Sequence, residues 1–113
     1  EQYFEGFFKH YSDLGVKFVR MDFLSWYEDG MNYSDQIDRG YGRERYVRGM
    51  QWINKYARKY GVYVSLVMPH LKNNAIIEKY AGNMIRINAD ALEGSWYRFS
   101  ENNRGSLRGG WPN

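Results

Sequence analysis

Gly15-Val16-Lys17-Phe18-Val19-Arg20-Met21-Asp22-Phe23 is the stretch whose reading decides the fold. A glycine interrupts a helical pattern, an apolar run follows, and the run closes on an aspartate. A second run of the same build, Asn83-Met84-Ile85-Arg86-Ile87-Asn88-Ala89-Asp90, sets Asp90 just past its end. Between the two lie a helical pattern, a third strand-like run and a shorter helix. Strands that alternate with helices point to consecutive βα units and a parallel sheet. Parallel strands bring their C-terminal ends to one face, so the two carboxylates can converge on one site.

Working outward, the order reads helix, strand, helix, strand, helix, strand, helix. The first helix is expected over 3–14, where Phe4, Phe7, Phe8 and Tyr11 recur at helical spacing. The strand over 16–23 follows. The next helix is expected over 43–60, with Tyr46, Met50, Ile53, Ala57 and Tyr60 inward, and the next strand over 62–68. A short helix over 74–81, with Ile76, Ile77 and Tyr80 inward, precedes the strand over 84–88. Gly15, Gly61 and Gly82 stand at the three helix-to-strand junctions, where a left-handed residue commonly ends a helix.

Residues 24–42 break this rhythm and read as a long loop. They hold Trp26, Tyr27, Glu28, Asp29, Tyr33, Asp35, Asp38 and Tyr41. A loop of that length in a compact domain is usually functional or disordered. It leaves directly from Asp22 and would overhang a site there. Its acidic residues do not match a calcium loop, and no metal site is expected.

Three strands cannot close a barrel, which needs eight βα units and about 250 residues. Helices on one side of a small open sheet would leave its other apolar face bare. The expected architecture is therefore a partial domain, residues 1–113, from the middle of a larger (β/α)8 TIM barrel. The opening Glu1-Gln2-Tyr3, which lacks Met, and the closing Gly109-Gly110-Trp111-Pro112-Asn113 fit that expectation.

Composition narrows the function classes. Charge is +3, from 16 basic and 13 acidic residues. The densest basic group, Lys55, Arg58 and Lys59, falls on a solvated helix face. With no long basic run or nucleic-acid motif, a nucleic-acid partner is not expected. No run approaches the ~18 apolar residues of a membrane span, and no signal peptide is apparent. The chain has no cysteine, which removes thiolate and disulfide chemistry but fits any compartment. Its 11 Tyr, 6 Phe and 4 Trp suit sugar stacking as well as core filling.

Two carboxylates converging on a pocket are the minimum equipment of a glycoside hydrolase. The motifs agree in order and spacing. Arg20, one spacer and Asp22 close the first strand. Arg86, three spacers and Asp90 close the third, and Ser95-Trp96 and Gly109-Gly110-Trp111 follow. Over nearly the whole chain this resembles glycoside hydrolase family 27 and its clan D relatives, the α-galactosidase group. The resemblance implies strands four to six of the barrel, a carbohydrate substrate, no cofactor, and work in the periplasm or outside the cell. It implies that Asp22 is the nucleophile and Asp90 the acid/base. Arg86 would bind near the nucleophile and the sugar 2-hydroxyl. Arg20 stands where the group has a sugar-binding Lys, which replaces a point donor with a planar fork. Trp26 and Tyr27 are further candidate sugar contacts.

Strand five departs from the group. Its α-galactosidases read Ser-Cys-Glu-Trp-Pro there, and the Glu helps recognise the sugar. This chain reads Ser65-Leu66-Val67-Met68-Pro69. Val67 cannot bond a hydroxyl, and His70 is the candidate substitute. The group's α-glucan enzymes, such as isomalto-dextranases, would suit the change.

The two carboxylates also have different tasks. The nucleophile must be ionised and the acid must hold a proton, so their surroundings must differ. Arg20 or Arg86 would favour an ionised Asp22. Ala89, Ala91 and Leu92 suggest an apolar setting for Asp90. Alternatives stay open. Each aspartate could instead cap a following helix, and Arg86 could be a structural ion-pair partner. The segment could be a non-catalytic carbohydrate-binding or structural remnant. It could also belong to an unrelated barrel enzyme that uses two aspartates, such as a metal-dependent lyase.

Overall fold

The computed structural model describes residues 1–33, 36–87, 90 and 94–108. Helix α1 (Gln2–Asp13) leads into strand β1 (Phe18–Met21) and helix α2 (Leu24–Asp29). The hairpin strands β2 (Gly30–Tyr33) and β3 (Gln36–Arg39) come next, then helix α3 (Arg43–Tyr60) and strand β4 (Tyr63–Leu66). A 3₁₀ turn (Asn73–Ala75), helix α4 (Ile76–Ala81), strand β5 (Met84–Ile85) and helix α5 (Trp96–Arg108) complete the order. Among the described residues no helix is long and apolar enough to cross a membrane.

The main sheet has the order β1-β4-β5, with both neighbouring pairs parallel. Val19 lies opposite Val64, Arg20 opposite Ser65, and Ser65 opposite Met84. Alternation along the strands gives the sheet two unlike faces. One carries Val19, Met21, Val64, Leu66 and Ile85. It packs on Phe8 of α1, on Tyr46, Met50, Ile53 and Ala57 of α3, and on Ala81 of α4. This is the core. The other face carries Phe18, Arg20, Tyr63, Ser65 and Met84. Its three large apolar residues are more than half exposed: Phe18 53%, Tyr63 60% and Met84 59%.

Helix α1 is tied to α3 at the surface. Lys55 and the Tyr56 hydroxyl both donate to Glu1 Oε1, at 2.7 and 2.6 Å. Lys59 and the Tyr60 hydroxyl donate to Glu5 Oε1, at 2.8 and 3.3 Å. The junction glycines differ in their reasons. Gly15 takes φ +87°, which a side chain would strain. Gly82 is extended, at φ −125°. It is small because a Cβ there would stand 2.7 Å from Leu66 Cγ, inside the core.

Two expectations are corrected. Residues 24–33 and 36–39 are not a loop. They fold as α2 and an antiparallel β2–β3 hairpin, in which Gly30 pairs with Arg39 and Met31 with Asp38. Their backbone groups need partners, and local pairing supplies them. Helix α4 packs Ile77 on the core as expected but turns a different side inward besides. Ile76 and Tyr80 are 56% and 69% exposed, while Glu78 is fully buried beside Ala75 and Ala81. Spacing of three puts Ala75, Glu78 and Ala81 on one side. A hydrogen bond from Tyr46 meets one oxygen, Oε1, of the buried carboxylate there.

Candidate active site

The C-terminal ends of β1, β4 and β5 share one sheet edge, with the candidate residues on or just beyond it. At the end of β1, Arg20 and Asp22 lie two residues apart on the face away from the helices. Arg20 Nη2 stands 3.0 Å from Asp22 Oδ2. The other oxygen, Oδ1, accepts the Phe23 N–H at 2.7 Å. Asp22 does not cap α2, because the N-cap is Phe23 and no side chain bonds there. Phe23 itself sits at φ 58°, and Met68, beyond the neighbouring strand, at φ 52°. Non-glycine residues rarely adopt this conformation, and such strain gathers at functional sites.

Beyond β4 the chain is cross-tied to α2. The Ser25 N–H donates to Met68 O at 2.7 Å. His70 Nε2 stands 2.5 Å from Asp29 Oδ2. Lys72 Nζ donates to Glu28 Oε1 and Arg43 Nη1 to Glu28 Oε2, each at 3.1 Å. The His70 N–H donates to Tyr46 Oη at 3.0 Å, and Tyr46 donates in turn to Glu78 Oε1 at 2.8 Å. Burial first, and then Glu78, push the Tyr46 phenol well above its ordinary value. One donor atom each from Glu28, Asp29 and His70 lie within 4.8 Å of one another. A cation bound there would have to displace Lys72 and Arg43 from Glu28, so the cluster is built as an ion-pair network.

At the end of β5, Arg86 Nη2 stands 2.5 Å from Asp90 Oδ1. The apolar setting expected for Asp90 is not what the structure has. Its side chain is 84% exposed and ion-paired. The neighbours behind that expectation, Ala89, Ala91 and Leu92, lie outside the described residues. Asp90 does not cap α5, where Ser95 Oγ instead accepts the Arg98 N–H at 3.4 Å. Trp96 opens that helix and is 76% exposed. Gly109, Gly110 and Trp111 lie outside the described residues.

Trp26 and Tyr27, both on α2, line a cavity of about 430 Å³ together with Asp22, Phe23, Tyr41 and Tyr46. Phe23 stacks on Trp26 with ring centroids 4.5 Å apart, and Tyr27 tilts against Tyr41 at 4.9 Å. Met21, Met50 and Ile53 also line it, so the cavity runs from Asp22 at the strand end to the helix side of β1. The structure thus joins Arg20 to Asp22, Arg86 to Asp90, and Trp26 and Tyr27 to the Asp22 cavity. It joins His70 to Asp29 and Tyr46, partners that sequence reasoning missed. For Glu78 a signal existed in the Ala75–Glu78–Ala81 stripe. For Asp29 there was none, because its partner is 41 residues away.

No family model matches the chain, and no solved structure matches it. The whole of this chain is similar to part of a glycoside hydrolase, the isomalto-dextranase of Arthrobacter globiformis, with 41% identity over 114 residues, a span that covers 18% of that protein's length.

Proposed function

We propose that the chain supplies strands four to six of a (β/α)8 barrel in a retaining glycoside hydrolase, and that the substrate is an α-linked glucan. The observation that carries the reading is the pair of Arg–Asp couples, Arg20–Asp22 and Arg86–Asp90, at the C-terminal ends of the outer strands of one parallel sheet. Catalytic groups of such barrels come from the C-terminal ends of several strands. Similarity to an isomalto-dextranase supports glycoside hydrolysis and favours a glucan over a galactoside. Val67, apolar where an α-galactosidase-like site would hold a Glu, favours the same choice.

The roles are those that the resemblance to the α-galactosidase group implies. Asp22 attacks the anomeric carbon as a carboxylate, and Arg20 gives that carboxylate a counter-charge at 3.0 Å. Asp90 donates a proton to the leaving oxygen and then takes one from the water that hydrolyses the glycosyl-enzyme. A carboxyl that holds a proton gives up its ion pair, so the Arg86–Asp90 contact must open when substrate arrives.

The test uses the complete gene product. Asp22→Asn stops turnover on every substrate. Asp90→Asn keeps the first step on an activated aryl α-glucoside, shows a burst, and loses the natural linkage. Azide needs no base, so it rescues Asp90→Asn and yields the α-azide. Equal loss on both substrate types without azide rescue removes Asp90 from the acid/base role.

A further inference from the structure

The strand that should recognise the sugar ends in apolar residues. On the Arg20–Asp22 face β4 offers Ser65 and then Val67, and between Ser65 and His70 the chain reads Leu66-Val67-Met68-Pro69. The first side chain past Ser65 that can bond a hydroxyl is His70. It is held from two sides. Its N–H is fixed on Tyr46 Oη, itself anchored on the fully buried Glu78. Its ring nitrogen Nε2 is fixed on Asp29 Oδ2. Asp29 ends the helix that starts two residues after Asp22, and Ser25 of the same helix holds Met68. The imidazole is therefore placed relative to Asp22 by α2.

We propose that Asp29 and Tyr46 are positioning residues that present His70 to the sugar as a hydroxyl acceptor, which makes the Asp29–His70 couple the specificity element that Val67 cannot be. The reasoning is chemical. A carboxylate oxygen only accepts, so Nε2 carries the proton that bonds Asp29. In the neutral ring Nδ1 is then bare and can only accept. A donor at that position would bind a different pattern of hydroxyls. The inference rests on the glycosidase reading and adds to it the group that selects the sugar.

The experiment measures kcat and KM of the complete protein on an isomalto-oligosaccharide and its monodeoxy analogues. One deoxy position should cost the wild type about tenfold or more in kcat/KM, the worth of one good hydrogen bond. In His70→Ala and Asp29→Ala that penalty should vanish. In Asp29→Asn, whose Oδ1 can accept the same bond, it should largely return. A merely structural role would lower all substrates together and leave the deoxy penalty in place. Nitrogen-15 NMR of histidine-labelled protein should show His70 protonated at Nε2, and a tautomer mixture in Asp29→Ala. An active enzyme whose deoxy penalties are unchanged in His70→Ala overturns the proposal and leaves the glycosidase reading standing. So does a His70 protonated at Nδ1. A folded, complete protein inactive on every α-glucoside overturns both.

Discussion

Glu78 is fully buried, and its Oε2 has no hydrogen-bond partner among the described residues. Its Oε1 depends on the Tyr46 hydroxyl. Tyr46→Phe therefore strips the remaining bond from a buried carboxyl and frees the His70 N–H as well. The expected cost is about 2–3 kcal/mol, since a stranded buried group loses its solvation without compensation. Adding Glu78→Leu should recover much of that, because replacing both partners by apolar groups is nearly neutral. Urea unfolding of the four proteins of this cycle measures it. A Tyr46→Phe protein as stable as wild type would show that the pair carries no weight. The pair also has a pH consequence. The Tyr46 phenol is raised in the folded state from 10.0, so the unfolded chain loses its proton first. Stability should be whole below about pH 10 and fall as pH rises through the folded value, a slope that Tyr46→Phe removes. At this scale the two Arg–Asp couples were legible because each lies within five residues of chain. The Tyr46–Glu78 and Asp29–His70 bonds span 32 and 41 residues, and no local pattern encodes them.

Helices α1 and α3 and strands β1 and β4 were legible because each has enough residues to repeat its period, whereas β5, two residues long, was placed by the apolar residues that follow Gly82 and Asn83. Helix α2 has six residues, too few for a helical stripe to stand out. The hairpin was hidden for a second reason. The sequence between Tyr33 and Gln36 has neither Gly nor Asn, the residues that usually signal a hairpin. Helix α1 owes part of its seat to ion pairs that cross to α3. Lys59, by hydrogen bond and then by charge, holds Glu5 below its ordinary 4.5. A lowered carboxylate adds stability above its unfolded value and loses it as pH falls through the folded one. The Glu5 contribution should thus be present near neutrality and disappear below about pH 4.5. Thermal unfolding of wild type and Glu5→Gln across pH 3 to 7 checks the sign. The two Tm values should differ at pH 7 and converge at pH 3. A gap that widens on acidification would mean that the contact does not stabilise the fold.

The molecule as a whole exposes more than a self-contained domain of its size. Its accessible surface is 8339 Å², against about 6500 Å² for a compact monomer of this mass. Its radius of gyration is 15.6 Å, against about 13 Å for a compact chain of 113 residues. Part of the excess is the sheet face bearing Phe18, Tyr63 and Met84. In the proposed barrel that face is the interior, filled by layers of side chains from the other strands. This predicts opposite behaviour for one substitution in two settings. In the isolated 113-residue chain Phe18 has little to pack against on that face. Phe18→Ala should leave its stability nearly unchanged and lower its binding of the apolar dye ANS. The isolated chain itself should self-associate through the bare face and its strand edges. In the complete protein Phe18 would be a core residue, and Phe18→Ala should cost about 3–5 kcal/mol, the range for deleting a buried phenyl ring. Denaturant unfolding of both pairs decides the matter. A sharp, monomeric transition for the isolated chain, or a complete protein indifferent to Phe18→Ala, would mean that the face stays open to water and that these strands do not line a barrel.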